Sequence, residues 1–404
     1  MHLIYIHQYF KTPDQGGAIR SYYMAKGLVD KGHQVDMITA HNGPYKLIQY
    51  KGIQVHYLPV SYYSQWGFYR RIWAFIKFSY LAYREALKVQ NGDLCIATST
   101  PLSVGWTAMK IKAKIGLPFI FEVRDLWPDA PIELGYIRSP WLIKLLQKWE
   151  RSIYQQAHDI ITLSPGIRKR VVERSDNHKV HFIPNMSDID FFKFEPTSTS
   201  SSVQDKESNV FTITYFGAVG KVNHLEHFIE IASLHSHLNI KFLIVGDGPK
   251  LAGIKRMAKQ KELSNVTFME PQNKDGLREV LRRTHATFIS FAPFEILKTN
   301  SPNKFFDSLA AGKLIITNTG GWIKKLVEEH RCGFYCSKER FEDFGEKITP
   351  FIQDSKILAT YQNNARQLAE KEFSRRAQVE KLHLLLEEIR INNSSGELAY
   401  TSID

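Results

Sequence analysis

Short apolar runs alternate with longer stretches of helical period from the start of the chain to about residue 390. In the first half the runs are Leu3–Ile6, Gln34–Thr39, Leu94–Thr98, Phe119–Val123, Ile160–Leu163 and Val180–Ile183. Near-continuous apolar runs separated by helical patterns predict strands buried on both faces of a parallel sheet, joined by helices. The second half restarts the pattern with Phe211–Phe216, Lys241–Val245, Val266–Met269, Ala286–Phe291 and Leu314–Thr317. Between the halves, Pro196–Asn209 is polar and serine-rich, as a linker is. The expected class is α/β: two domains, each built on a doubly wound parallel sheet. The boundaries expected are 1–195 and 210–375 for the domains and 196–209 for the linker. Residues 376–391 form a C-terminal helix packing back toward the first domain, and 392–404 a disordered tail.

Ligands bind such sheets beyond the carboxyl ends of the strands, so the loops there hold the candidate chemistry. The stretch Thr299-Asn300-Ser301-Pro302-Asn303-Lys304-Phe305-Phe306-Asp307 runs from a strand end through a polar loop into a helix. Ser301 is a good N-cap and Pro302 a good first helical residue. Asn303 and Lys304 would sit beside a helix N-terminus, where the N–H groups and the dipole favour an anion. One turn on, Asp307 could accept paired hydroxyls. Phosphate at one end and hydroxyls at the other point to a nucleotide. Gly217 and Gly220-Lys221, at another strand end, form a second candidate phosphate loop. Gly16-Gly17, after the first strand, are either a third close approach of backbone to ligand or a plain turn. They are not a G-x-G-x-x-G dinucleotide site.

Phe119-Ile120-Phe121 runs straight into Glu122, Arg124 and Asp125. Charges abutting a buried strand are costly without partners. Arg124 and Asp125 pair with each other, or they face the cleft with Asp125 accepting from a sugar hydroxyl. Asp188 and Asp190 form a D-x-D after a Pro-Asn turn, where turn and capping roles are expected rather than a metal. Residues 67–90 are basic and aromatic: Arg70, Lys77 and Arg84 recur every seven residues beside Arg71, Trp73 and Tyr80. Such a helix lies on an anionic membrane surface, or packs with a solvated basic face.

Charge adds to this picture. The net charge is +12, and residues 1–190 hold 24 Lys and Arg against 15 Asp and Glu. The excess therefore sits in the first half and suits an anionic partner there. A nearly balanced second half and the lack of an RRM, KH or zinc-finger signature argue against nucleic acid. Three cysteines without paired spacing imply neither a disulfide framework nor a zinc site. The N-terminus reads as a strand rather than a signal peptide, and no run is long and apolar enough to span a membrane.

The chain resembles the family 4 retaining glycosyltransferases over roughly residues 1–390, which implies the GT-B fold of two Rossmann-like domains facing across a cleft. The resemblance rests on Gly16-Gly17, Ile183-Pro184-Asn185 with Asp190, Gly217, Val245-Gly246-Asp247-Gly248-Pro249 and Ser301–Lys313. Glu122-Val-Arg-Asp-Leu-Trp-Pro together with Ser301-Pro-Asn-Lys-Phe-Phe-Asp is similar to bacterial O-antigen and capsule transferases of the N-acetylfucosamine type. This implies a nucleotide-sugar donor, UDP-linked, held by the second domain, and a lipid-linked saccharide acceptor on the first. The donor sugar implied is an N-acetylated amino or deoxy-amino hexose. The protein would work in the cytoplasm, peripheral at the inner face of the cell membrane. Asp307 matches the ribose-binding second acid of E-x7-E, and Asn303 and Lys304 fall where diphosphate and sugar are held, beside Asn300 and Ser301. Gly16-Gly17 would approach the diphosphate from across the cleft.

Two departures stand out. The first acid of E-x7-E is Thr299 here, with Glu295 as a possible substitute. The family's Arg after Gly217 is Ala218, with Lys221 as the candidate replacement. Asp125 and Arg124 match the catalytic loop, which makes them, with Lys304, the catalytic candidates. No carboxylate stands out as a nucleophile, so front-face substitution is expected, with no metal and no cofactor. A nucleotide-sugar 2-epimerase of the same architecture, or a nonenzymatic sugar-nucleotide binder, is the competing reading.

Overall fold

A computed structural model describes residues 1–15, 19–63, 66–194, 210–337 and 339–400. The expected linker 196–209, the glycines Gly16 and Gly17, and residues 401–404 lie outside the described residues. Contacts divide the chain into two units, Met1–Pro184 with Arg376–Asp404, and Asn185–Arg375.

In the first unit the strands are β1 (His2–Ile6), β2 (Gln34–His41), β3 (Lys46–Tyr50), β4 (Ile53–Pro59), β5 (Leu94–Thr98), β6 (Phe119–Val123), β7 (Asp159–Thr162) and β8 (Val180–Phe182). They form one sheet in the order β3-β4-β2-β1-β5-β6-β7-β8, parallel except for β3. The helices are α1 (Arg20–Asp30), α2 (Phe68–Ala86), α3 (Ser103–Ile115), α4 (Asp129–Glu133), α5 (Pro140–Gln156) and α6 (Pro165–Ser175). The order runs outward from β1 in both directions, so right-handed crossovers place α1 on one face and α2, α3 and α5 on the other. The hairpin β3–β4 is additional to the expected strands. Lys46–Tyr50 is almost wholly exposed, so it carries no apolar run to read; its turn, Lys51-Gly52, has positive φ at both residues.

In the second unit the strands are β9 (Phe211–Phe216), β10 (Ile240–Val245), β11 (Val266–Met269), β12 (Ala286–Ile289), β13 (Leu314–Thr317) and β14 (Gly333–Tyr335). The sheet is all parallel, in the order β11-β10-β9-β12-β13-β14. Its helices are α7 (Glu226–Leu234), α8 (Leu251–Gln260), α9 (Lys274–Arg282), α10 (Asn303–Ala310), α11 (Trp322–Glu329), α12 (Asp343–Gln353) and α13 (Ser355–Leu368). Ile213, Tyr215, Phe228, Phe242, Phe288 and Ile316 fill the core between sheet and helices. The strand expected over Ala286–Phe291 stops at Ile289, because the Phe291 amide leaves the ladder and donates to Asn318 Oδ1 (2.8 Å).

The unit boundary falls at 184/185, not at 195. Residues 185–194 pack in the second unit: Ser187 Oγ donates to Phe306 O (2.8 Å), and Phe192 is buried with Phe216, Leu243 and Val245. Serine-rich composition marks the linker but not this aromatic segment ahead of it.

The last helix, α14 (Arg375–Tyr400), counts with the first unit from Arg376 onward. Val379 lies so close to Gly27 of α1 that a Cβ there would be 2.5 Å away. The disordered tail expected from 392 is instead helical as far as Tyr400. Polar residues of modest propensity can continue a helix already nucleated, because each adds one hydrogen bond at little further cost.

Candidate functional site

Both sheets change winding direction at their first strand, and ligands bind at such switch points. In the second unit the switch lies between β9 and β12, so the loops after those two strands meet. Gly217 follows β9 and has φ +120°, a conformation in which a side chain is strained. A Cβ at Gly217 would stand 3.5 Å from Lys304 Cε and Nζ. Gly246, at the end of β10, has φ +151°, and a Cβ there would be 2.0 Å from Gly217 O. The approach of the two loops therefore requires glycine at 246, and the backbone conformation favours it at 217.

Lys304 is the second residue of α10. Its Nζ donates to Tyr215 Oη (2.8 Å) and lies 4.1 Å from the Tyr215 ring centre. Tyr215 in turn donates to Ala218 O (2.5 Å). Among the described residues Lys304 makes no ion pair. Burial pushes its amine down to about 7. On the same helix, burial pushes the Asp307 carboxyl up to about 7, with Lys274 opposing. Both side chains keep part of their surface open, so water still screens them.

Around them, Thr299 Oγ1 donates to Ile296 O (2.7 Å), and Trp322 Nε1 donates to Asn300 O (2.8 Å). Asn185 Nδ2 donates to Ser301 O (2.5 Å), tying the Pro-Asn turn to this loop. Asn303 and Lys221 are exposed. Ser301 does not cap the helix. Pro302, in an extended conformation (ψ 134°), takes the cap position and α10 begins at Asn303, which leaves Ser301 Oγ buried without a hydrogen-bond partner. Glu295, the possible substitute for the missing acid at Thr299, is exposed and paired with Lys298 (2.5 Å). Beside Gly217 a cleft of about 300 Å³ is lined by Phe216, Ala218, Val245, Asp247, Pro271 and Gln272. That volume is at the lower end for a small-molecule site.

The first unit carries the other candidates. Arg124 N donates to Ser99 Oγ (3.0 Å), and its guanidinium turns to His7 Nε2 (3.3 Å) rather than to Asp125. Burial and Arg124 hold the His7 imidazole well below its ordinary range. Asp125 is exposed by area, yet the surrounding protein pushes its carboxyl up, with Arg124 opposing. Glu122 is buried and pairs with Arg20 (2.8 Å), whose guanidinium also donates to Ile183 O and Pro184 O. Arg20 and Tyr215 had no motif to announce them; each is recognisable only from its partner. On α2, Arg70, Trp73, Lys77 and Arg84 are exposed and Arg71 is partly so. Asp188 accepts from Phe191 N (3.1 Å), a turn role, and also pairs with Lys274 and Arg375.

A group that could hold a metal ion lies elsewhere. His33, His383 and Glu387 place ligand atoms within 4.8 Å of one another, with His33 Nε2 3.0 Å from His383 Nδ1.

The family model for the glycosyl transferase 4-like domain matches residues 15–186, and that for glycosyl transferases group 1 matches residues 197–368. The chain belongs to the GT-B glycosyltransferases. WcaI of Escherichia coli (strain K12), named as a colanic acid biosynthesis glycosyl transferase, is 28% identical over 182 residues, which are 43% of this chain. The match spans only 45% of WcaI. Among solved structures, sucrose-phosphate synthase from Thermosynechococcus elongatus superposes with a TM-score of 0.76 at 15% identity, covering 97% of this chain and 99% of that one. Anabaena Alr3699/HepE, solved with UDP and glucose, gives 0.70 at 15% identity, covering 96% and 100%. At such identities the two solved structures share the fold with this glycosyltransferase and speak to nothing finer.

Proposed function

We propose that this glycosyltransferase moves a sugar, an N-acetylated amino or deoxy-amino hexose, from a UDP-linked donor to a lipid-linked saccharide. The product belongs to O-antigen, capsule or exopolysaccharide synthesis. One observation carries the reading: Lys304 stands at the switch point of the second unit, partly stripped of water, aimed by Tyr215 and beside a glycine that leaves room for a ligand. A cation in that state gains most from an anion, and a diphosphate fits a helix N-terminus. HepE, of the same fold, was solved with UDP and glucose. Asp307 would accept from the ribose hydroxyls, with Thr299, Asn300, Ser301 and Asn303 lining the sugar and phosphate end and Gly217 and Lys221 facing the diphosphate.

The reaction retains anomeric configuration by front-face substitution. The bond from the anomeric carbon to the diphosphate oxygen breaks as a bond to the acceptor oxygen forms on the same face. The acceptor hydroxyl's proton passes to the departing phosphate oxygen. Lys304, Lys221 and the N–H groups of α10 stabilise the charge developing there, so transfer is expected to persist in EDTA. Arg124 and Asp125 orient the acceptor in the first unit.

A thermal-shift screen of UDP-, GDP- and dTDP-sugars, followed by transfer assays of Lys304→Ala, tests the proposal. UDP-sugars should stabilise the protein most, and the variant should fold but transfer at least about a hundredfold more slowly, as for a lost charge-stabilising group. Unchanged turnover, or donor consumption without any acceptor, would refute it.

A further inference from the structure

Exposed aromatic side chains in the first unit are not scattered. The four most exposed large apolar side chains among the described residues are Tyr69 (85%), Trp141 (69%), Trp73 (66%) and Tyr136 (66%). Tyr69 and Trp73 lie in the first two turns of α2, Trp141 in the first turn of α5, and Tyr136 in the approach to it. Both helices cover the same face of the sheet, with α3 packed between them. Thr107 Oγ1 of α3 donates to Ser79 O of α2 (3.3 Å), and a Cβ at Gly105 of α3 would be 2.7 Å from Ile153 of α5. Helices that return between parallel strands begin at the strands' carboxyl ends. The exposed aromatics therefore gather along one edge, the same edge that carries Arg124 and Asp125.

The charge along this face has one sign. Helices α2, α3 and α5 carry ten lysines and arginines against two carboxylates, Glu85 and Glu150, both buried. Arg70 and Lys144 stand beside the two exposed tryptophans. Large aromatics exposed to water are costly for a soluble surface. Tryptophan and tyrosine favour a membrane interface, where the ring is half immersed and its polar atom stays wet. Lysine and arginine beside them meet anionic headgroups.

We propose that the starts of α2 and α5 form a two-point docking edge for an anionic lipid bilayer, seating the carboxyl end of the first sheet against the headgroups. The purpose of this edge rests on the lipid-linked acceptor proposed above, since such an acceptor can be reached only close to the membrane surface. Its measurement does not. A basic aromatic helix at 67–90 was legible in the sequence; the second anchor on α5 was not, and it turns a stripe on one helix into a fixed orientation.

Flotation of the purified protein with phosphatidylcholine vesicles, with and without phosphatidylglycerol, tests the proposal. Wild type should float only with the anionic vesicles. W73S/W141S and R70E/K144E should each float at least about tenfold less, with unchanged thermal melts. Leu145, one turn after Trp141 on α5, is also exposed, and the pair W141S/L145S should by itself weaken flotation. Should an aromatic variant fail to fold, the exposed charge pair R70E/K144E decides. Wild type that does not float, that floats equally with neutral vesicles, or variants that float like wild type would overturn the proposal. Binding intact with no transfer to any lipid acceptor would instead refute the proposed reaction and leave this surface standing.

Discussion

The Lys304 amine and the Asp307 carboxyl are both brought to about 7, from opposite directions and by the same loss of water. Each is therefore about half ionised at pH 7 when the site is empty. A bound diphosphate favours the charged amine, so donor binding takes up about half a proton at Lys304. Ribose hydroxyls favour the free carboxylate, so binding releases about half a proton at Asp307. In the wild type the two cancel, and affinity should peak near pH 7. Below it Asp307 is protonated, and above it Lys304 is neutral. Lys304→Met removes one limb: its affinity should rise with pH, by at most about tenfold between pH 6 and 8, with net proton release. Asp307→Asn removes the other, and its affinity should fall over the same range with net uptake. Lys304→Met should also weaken binding about 10- to 100-fold, the range for one charge-assisted hydrogen bond. Calorimetry with the nucleotide-sugar that stabilises the protein most, in two buffers of different ionisation enthalpy, measures both quantities. The same proton count in all three proteins, or a pH slope that survives in both variants, would refute the reasoning.

Tyr215→Phe removes the acceptor that aims Lys304 and should lower kcat about tenfold with a smaller effect on donor KM. In a Lys304→Met background it should cost nothing more, which steady-state kinetics of the four proteins would check. Gly217→Ala should fold less stably because of its φ of +120°, and its methyl would occupy space beside Lys304, seen as a lower melting temperature and weaker donor binding. Glu122→Ala leaves Arg20 buried without its carboxylate and should destabilise the first unit by about 3–5 kcal/mol in denaturant titration. A loss below about 1 kcal/mol would show that the three carbonyl and carboxylate contacts of Arg20 are not coupled.

What the sequence made legible, and what it did not, follows from the range of the interactions. Parallel strands such as Phe119–Val123 and Leu314–Thr317 are buried on both faces, so their apolar runs announce them whatever they pair with. The hairpin β3–β4 lies at an exposed edge, where no such run is needed. The loop after β12 was legible as a candidate anion site because Pro302, Asn303 and Lys304 are adjacent in the chain. Its support was not: Tyr215 is 89 residues from Lys304, and Arg20 is 102 from Glu122. Neither pairing leaves a local pattern, since each residue alone reads as an ordinary strand or helix position.

The distinction bears on how the site works. In the proposed reaction the locally legible residues would supply the charge and the hydroxyl acceptor. The long-range partners decide whether that charge is available, because an amine already neutralised by a carboxylate gains less from a diphosphate. Tyr215 holds Lys304 through a neutral oxygen and donates its own O–H to Ala218 O, which orients the amine without neutralising it. Glu122, by contrast, is consumed by Arg20 and so holds the loop rather than meeting a ligand. A charged residue at a strand's carboxyl end is thus a candidate for chemistry only once its partner is known to leave it free, and by that criterion Lys304 qualifies and Glu122 does not.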